Sequence, residues 1–409
     1  MQKQAGTNPF FRKSFVPSIA LVISGLFFSP SVCAQSFAAD ELLRQQERER
    51  QLRLQQEQTP DVRLQEPVTP ATTLLPKNES PCFRIDRIVL VGEAADRFQF
   101  AVQSVMEGED SPLGRCLGAN GINLLLTRAQ NAIVARGFVT TRVLVSPQDI
   151  KTGDLTLTVI PGRVRDIRFA PDADPRGTKW NAIPIQSGDI LNLRDIEQGL
   201  ENFKRVPTAA ADIKIEAAEG EGAQPGQSDL VIAYQQSFPF RASVSLDDSG
   251  SKATGKYQGA LTLSYDNWWT LNDLFYISVN HDLGGGDPGA RGTRGGTLHY
   301  SIPFGYWALS TTATSNRYFQ SIAGLNQNYV YSGTSSSNDL KLSRVVYRDA
   351  QRKTTVALRA YLKESDNFID DTEVQTQRRR TAGWELSIGH REFMGANTLD
   401  VNLAYRHGT

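Results

Sequence analysis

The residues here best suited to redox or metal chemistry are three cysteines and four histidines. His281, His299, His390 and His407 are scattered, with no His-Glu-x-x-His spacing and no cysteine partners, so nothing points to a zinc site. Cys82 and Cys116 are the pair left once a leader carrying Cys33 is set aside. In an oxidising compartment an even pair is a natural disulfide, the alternative being two free thiols. The loop it would close spans 34 positions (116 minus 82), for which chain entropy gives roughly 3–4 kcal/mol. Gly284-Gly285-Gly286-Asp287-Pro288-Gly289 fits G-x-G-x-x-G, but a dinucleotide fingerprint must open a helix, and Thr297 to Ile302 continues as a strand. Gly250 to Lys256 copies Walker A spacing, with Tyr257 where the Mg²⁺-binding Ser or Thr belongs. Both read as hairpin loops. There is no G-x-S-x-G elbow, and the acidic pairs Asp247-Asp248 and Asp370-Asp371 read as solvated loop charge. No catalytic residue, metal site or cofactor is indicated, and the chain does not read as an enzyme.

The compartment follows from the first 34 residues. Lys3, Arg12 and Lys13 precede an apolar stretch from Phe15 to Phe28, and Val32 and Ala34 stand at the −3 and −1 places of a cleavage site. This is a secretory signal peptide. Cys33 is not in a lipoprotein setting, because Val32 precedes it. The 409 residues carry 44 basic and 44 acidic side chains, so no net field draws the chain to nucleic acid. No later run reaches the length of a spanning helix, which leaves transmembrane β-strands open, because they read as half polar.

Residues 35–58 hold good helix formers rich in Gln, Glu and Arg. A helix polar nearly all round either bridges solvent or lies in a wet channel, and a frayed solvated helix fits equally. Residues 59–81 carry Pro60, Pro67, Pro70, Pro76 and Pro81 and read as an extended tether. Residues 82–161 read as a β-α-α-β-β unit. Phe83 to Val91 is its first strand; Phe98, Val102 and Val105 mark one helix. Ile122, Leu125, Leu126, Ala129, Ile133 and Val134 mark a second, stopped by Gly137. Phe138 to Val145 and Leu155 to Val159 complete it. Residues 162–236 repeat the scheme, with a strand at Val164 to Phe169, a helical face of Ile196, Leu200 and Phe203, and a hairpin across Gly220–Gly226. Two copies in tandem suggest a stacked array.

From residue 237 to 409 the pattern is strict alternation. Phe240, Ala242, Val244 and Leu246 interleave with Arg241, Ser243, Ser245 and Asp247, and about nine strands follow this rule. Long connections are expected at 247–256, 281–296 and 321–327, short ones at 304–305 and 394–397. Trp268, Trp269, Trp307 and Trp384 fall near strand ends, as interfacial anchors do. A soluble β-sandwich shares the period of two. The one-sided loop growth and inward residues as large as Arg241, Arg359 and Arg406 favour an antiparallel transmembrane β-barrel.

Several runs carry a resemblance. P-C-F-R-I-D-R-I-V-L-V-G (81–92), A-R-G-F-V-T-T-R-V (135–143) and L-N-L-R-D-I-E-Q-G-L-E (191–201) resemble the haemolysin secretion/activation transporters of two-partner secretion. So do D-D-S-G-S-K-A-T-G-K-Y-Q-G (247–259), L-S-R-V-V-Y-R-D-A (342–350) and R-R-R-T-A-G-W-E-L (378–386). The resemblance implies a plug helix at 35–58, two POTRA domains at 82–161 and 162–236, and a sixteen-stranded outer-membrane barrel begun at 237. It also implies outer-membrane lipid around the barrel and, as partner, a large secreted exoprotein bound through its N-terminal secretion domain. That cargo would be a haemolysin, an adhesin or a contact-dependent inhibition toxin. The family's V-R-G-[FY] loop is expected beyond Thr409, where the sequence stops in its ninth barrel strand. An incomplete barrel is therefore expected, and a product of this length alone is expected not to secrete. An outer-membrane assembly factor is the alternative. β-Augmentation by an extended substrate would make Phe138, Thr140 and Arg142, on the Phe138–Val145 strand, candidate contacts, unless that strand is internal to its sheet.

Overall fold

The computed structural model describes residues 37–57, 60–64, 74–107 and 110–408. The signal peptide and part of the proline-rich linker lie outside them. Helix α1 spans Phe37–Gln56, a length of roughly 30 Å.

The first unit contains β1 (Phe83–Arg84), β2 (Arg87–Gly92), α2 (Gln99–Met106), β3 (Cys116–Leu117), α3 (Ala119–Ala135), β4 (Arg142–Leu144) and β5 (Asp154–Ile160). Its sheet has the order β2-β5-β4, with β2 parallel and β4 antiparallel to β5. The helices bury Phe98, Val102, Leu125 and Ile133 against Leu90, Leu155 and Leu157. Two expected strands are shorter than the sequence suggests. The one expected from Phe83 to Val91 divides, because Ile85 N–H turns to Arg115 O and Asp86 N–H to Gly153 O. The one expected from Phe138 begins only at Arg142. Gly137, at φ 90°, ends α3 in the left-handed region, and the chain then turns, Thr141 N–H reaching Phe138 O.

Cys82 and Cys116 are bonded, with Cα atoms 5.3 Å apart, and tie the linker's end to the β1–β3 ribbon. The linker also caps α3. Gly118, the N-cap residue, has no side chain to offer, and the Glu79 carboxylate accepts from the N–H groups of Gly118, Asn120 and Gly121 at 2.8–3.0 Å. A carboxylate at a helix N-terminus satisfies its free donors and meets the positive end of the dipole.

The second unit repeats the order with β6 (Arg163–Phe169), α4 (Lys179–Ala182), α5 (Leu193–Phe203), β7 (Ala209–Ala217) and β8 (Gln227–Gln236), its sheet running β6-β8-β7. Ile196, Leu200 and Phe203 pack on Ile213, Leu230, Ile232 and Tyr234. Arg165 Nε donates to Asp229 Oδ1 at 2.8 Å, and this hydrogen bond and charge hold the Asp229 carboxyl below its ordinary value.

The remainder is one antiparallel sheet of ten strands. Nine form a continuous meander: β9 (Phe240–Asp247), β10 (Gln258–Asp266), β11 (Leu274–Asp282), β12 (Arg291–Phe304), β13 (Trp307–Ala323), β14 (Asn328–Arg348), β15 (Arg352–Ile369), β17 (Arg379–Met394) and β18 (Asn397–Gly408). The tenth, β16 (Thr372–Glu373), pairs only with the end of β15. The connection expected over 281–296 is shorter, because β12 starts at Arg291 and pairs Gly292, Gly295 and Gly296 with β13. Trp384 lies six residues into β17 and not at its end.

The two faces of this sheet differ sharply. Leu309, Leu342, Leu358, Leu386 and Tyr405 form one row across five strands, and every one is exposed. On the opposite face a parallel row reads Ser310, Lys341, Arg359, Glu385 and Arg406. Exposed apolar rows of this extent need an apolar solvent. The arginines of the polar face are paired: Arg241 with Asp266 at 2.9 Å and Arg359 with Asp339 at 2.8 Å.

Candidate functional site

Helix α1 lies along the polar, concave face and makes side-chain bonds at both ends. At one end Glu41, 1% exposed, holds Arg48 at 3.3 Å and accepts from Thr254 Oγ1. Further along, Gln45 Oε1 accepts from Ser335 Oγ at 2.8 Å, and Arg53 Nη2 donates to Thr312 Oγ1 at 3.3 Å. At the other end Gln56 Oε1 accepts from Ser264 Oγ at 2.6 Å and Arg241 Nη1 at 3.0 Å, and Glu57 Oε1 lies 2.9 Å from His299 Nε2. Of the leucines, Leu52 alone packs on an apolar cluster, formed by Val206, Leu274 and Tyr276; Leu42, Leu43 and Leu54 stay exposed. A space of about 1370 Å³ separates the helix from the wall, lined by Ser243, Thr262, Thr297, Arg359 and Lys363 among others. The helix is thus attached through polar side chains, Glu41, Gln45 and Gln56 buried among them, each bond a modest net contribution, beside an open space and not through a sealed core. Its near-uniform polarity is the sequence signal for that setting.

A second constellation closes the end nearest the second unit. Arg348, at the end of β14, is 5% exposed. It donates to Glu197 Oε2 at 3.0 Å, Glu201 Oε1 at 2.9 Å and the Val62 carbonyl at 2.6 Å. The same carboxylates receive the backbone of the linker: Val62 N–H on Glu201 at 3.2 Å and Leu64 N–H on Glu197 at 2.9 Å. Arg194 donates to Glu197 at 2.6 Å, and Lys353 pairs with Glu201. Residues 61–64 therefore form a strap across α5, clamped between its two glutamates and a sheet arginine. Nearby, burial pushes the Asp195 carboxyl up, although it accepts a 2.6 Å hydrogen bond from the Tyr306 hydroxyl.

The turn 267–273 makes the third attachment. Asn267, Thr270 and Asn272 have positive φ, a conformation that asparagine tolerates. Asn272 Nδ2 donates to Thr178 O at 2.8 Å, and Gly305 N–H donates to the Asn181 backbone carbonyl at 2.8 Å. The second unit is bolted to the sheet by backbone and carboxamide bonds.

The three residues proposed from the sequence as substrate contacts are not brought together as one surface. Phe138 is 7% exposed and packs edge-on against Phe98 at 5.1 Å. Thr140 lies in the turn before β4, against Gly162. Arg142 is exposed on β4, with Nη1 donating to Val139 O at 2.8 Å. β4 is an edge strand, pairing only with β5. Sequence reasoning missed Gln130, whose carboxamide donates to Thr141 O at 2.8 Å and accepts from Val143 N–H at 3.0 Å. It occupies the edge groups that an added strand would use. Among the described residues there is no cluster able to hold a metal ion.

Two β-α-α-β-β units ahead of an antiparallel sheet, polar inside and apolar outside, define a POTRA-barrel protein of the outer membrane, with its POTRA domains in the periplasm. Comparison with known proteins gives the family. A model described as haemolysin secretion/activation protein ShlB/FhaC/HecB matches residues 226–409. A ShlB-type POTRA model matches 83–162 and another POTRA model 163–217. The solved CdiB from Acinetobacter baumannii superposes with a TM-score of 0.79 at 30% identity, over 90% of this chain and 69% of that one. The outer membrane transporter CdiB-2 of Burkholderia pseudomallei (strain 1026b) is 37% identical over 393 residues, 92% of this chain. The hemolysin transporter protein ShlB of Serratia marcescens is 26% identical over 298 residues, 72% of this chain. The chain spans 65% of the length of CdiB-2 and 51% of that of the Serratia marcescens ShlB. It belongs to the ShlB/FhaC/HecB family of haemolysin secretion/activation proteins.

Proposed function

We propose that this chain forms the entry side of an outer-membrane transporter of two-partner secretion. It recognises the N-terminal secretion domain of one large exoprotein, of the haemolysin, adhesin or contact-dependent inhibition toxin class, and passes it through the barrel without enzymatic chemistry. The observation that carries this reading is α1, a polar helix bonded along the concave wall by Glu41, Gln45, Arg53 and Gln56. A helix so attached occupies a channel reversibly, because every bond it makes has a water-made equivalent. An assembly factor for other barrels has no use for such an occupant, and the curated relatives above are named as transporters, not enzymes. The test is deletion of residues 37–57 from the full-length protein in planar bilayers. A rise in single-channel conductance is expected, and an unchanged conductance overturns the plug.

Substrate contact we place on the β4 edge, with Arg142 exposed beside it and Phe138 and Thr140 shaping the turn behind. Augmentation there requires the Gln130 carboxamide to swing away from Thr141 and Val143. Gln130→Ala is therefore expected to tighten binding of the secretion domain to the purified transporter. Unaltered or weaker binding moves the contact to another edge, such as the nine-residue β7.

A further inference from the structure

We propose that Trp180 inserts into the periplasmic leaflet of the outer membrane, so that the second POTRA domain is moored to lipid as well as to the barrel. It is the one tryptophan ahead of residue 237, and it is 63% exposed, although it belongs to a folded domain with its own core. A large apolar ring left so open needs a covering surface.

Position identifies the surface. The Trp180 ring packs edge-on against Phe304, centroids 5.2 Å apart. Phe304 ends β12 on the apolar, convex face, where it pairs with Trp307, and both are exposed. Arg344 sits over the Trp307 ring at 4.9 Å. On the neighbouring turn Trp268 and Trp269 are exposed as well and wall an apolar hollow of about 390 Å³ with Phe275, Leu298 and Tyr300. Tryptophan and a cation at the margin of a lipid-facing band mark the headgroup level. Trp180 continues that band without a break, from the sheet onto the POTRA domain.

Depth is fixed by the same residues. Asn181, next in sequence, donates to Leu271 O at 2.5 Å, in the turn 267–273, and to Pro303 O at 3.2 Å, next to the last residue of β12. The ring therefore cannot retreat from the interface without breaking buried hydrogen bonds, which α4 would have to surrender to solvent. The occupant is a phospholipid surface, because the ring is continuous with a lipid-facing band. The inference depends on the barrel's place in the membrane and not on transport.

The test uses the full-length protein in phosphatidylethanolamine–phosphatidylglycerol vesicles with brominated acyl chains. The fluorescence of Trp180 is obtained as wild type minus Trp180→Phe. Quenching of that difference by roughly twofold or more relative to unbrominated vesicles is expected, as for an interfacial ring, with little effect of aqueous iodide. Iodide quenching without bromine quenching shows a solvated ring and overturns the proposal. Protection from both quenchers shows that protein covers it, and overturns it equally. Trp180→Ala, judged folded by an unchanged heat-modifiable gel shift, serves as a second reference if the Phe ring itself stays in lipid.

Discussion

Arg348 and Glu197 meet at 3.0 Å across the joint between barrel and POTRA domain because β14 holds one residue too many. Up to Arg344 the even-numbered side chains of β14 face outward with Leu340 and Leu342. The register then shifts between Val345 and Tyr347, so that Arg348 pairs with Lys353. One extra residue in a strand moves every later side chain to the other face. The bulge thus turns Arg348 from lipid toward α5 and the strap.

Removing that guanidinium takes from Glu197 and Glu201 the one cation they share, leaving Arg194 on the first and Lys353 on the second. Arg348→Ala is expected to cost about 3 kcal/mol at the joint, the scale for breaking a buried pair. Hydrogen exchange should report the loss locally, as faster exchange of Val62 and Leu64 amides, with the core of the first POTRA domain unchanged. Arg348→Lys should restore part of the protection, since it keeps the charge but not the fork.

Gln56 joins α1 to two wall residues through one oxygen. Gln56→Ala removes two hydrogen bonds at a buried contact, each worth about 1 kcal/mol. Spontaneous openings in planar bilayers are expected to become more frequent, by roughly three- to thirtyfold on that scale. The size of each opening should match that of the wild type.

For Cys82 and Cys116 a reduced protein is the direct comparison. Cys116→Ser with Cys82→Ser is expected to lower the stability of the first POTRA domain by roughly 3–4 kcal/mol, seen as an earlier first transition on thermal unfolding. Mass spectrometry of non-reduced peptides should find the two residues linked in protein folded in the periplasm.

Asp229 makes the second POTRA domain sensitive to acid. Its folded carboxyl is held below the ordinary value of 3.8 by Arg165, so the unfolded chain takes up the proton first as pH falls. The stabilisation is complete above the unfolded value and is lost as pH drops through the lower folded one. Asp229→Asn should weaken this domain at neutral pH and flatten the acid limb of its stability curve. An acid limb as steep as that of the wild type would assign the sensitivity to other carboxylates.

How legible the protein is from its sequence varies with the range of the interactions involved. Alternation in 240–405 reveals the long strands, because each strand's two solvents are written into neighbouring residues. The polarity of 37–56 leaves two environments open, and only its bonds to Ser264, Thr312 and Ser335 set it against the polar face of the sheet. The bulge before Arg348 is invisible, since V-V-Y-R reads as ordinary strand. The Gln130 cap is hidden for a different reason: a lone glutamine on a helix carries no local sign of the edge it will meet. Glycines misled at 281–296, where Gly292 lies against the Phe319 ring within a paired strand.

The concave wall is built largely of hydroxyls: Ser243, Thr262, Ser278, Thr297, Thr314 and Ser337 line the space beside α1. Each is short and both gives and accepts a hydrogen bond. Under the proposed function, a polypeptide passing along these hydroxyls would exchange one hydrogen-bond partner for another of nearly equal strength. In frictional terms that stretch of wall is close to hydrated glass, broken by the charged side chains of Arg359, Lys363, Glu385 and Arg406.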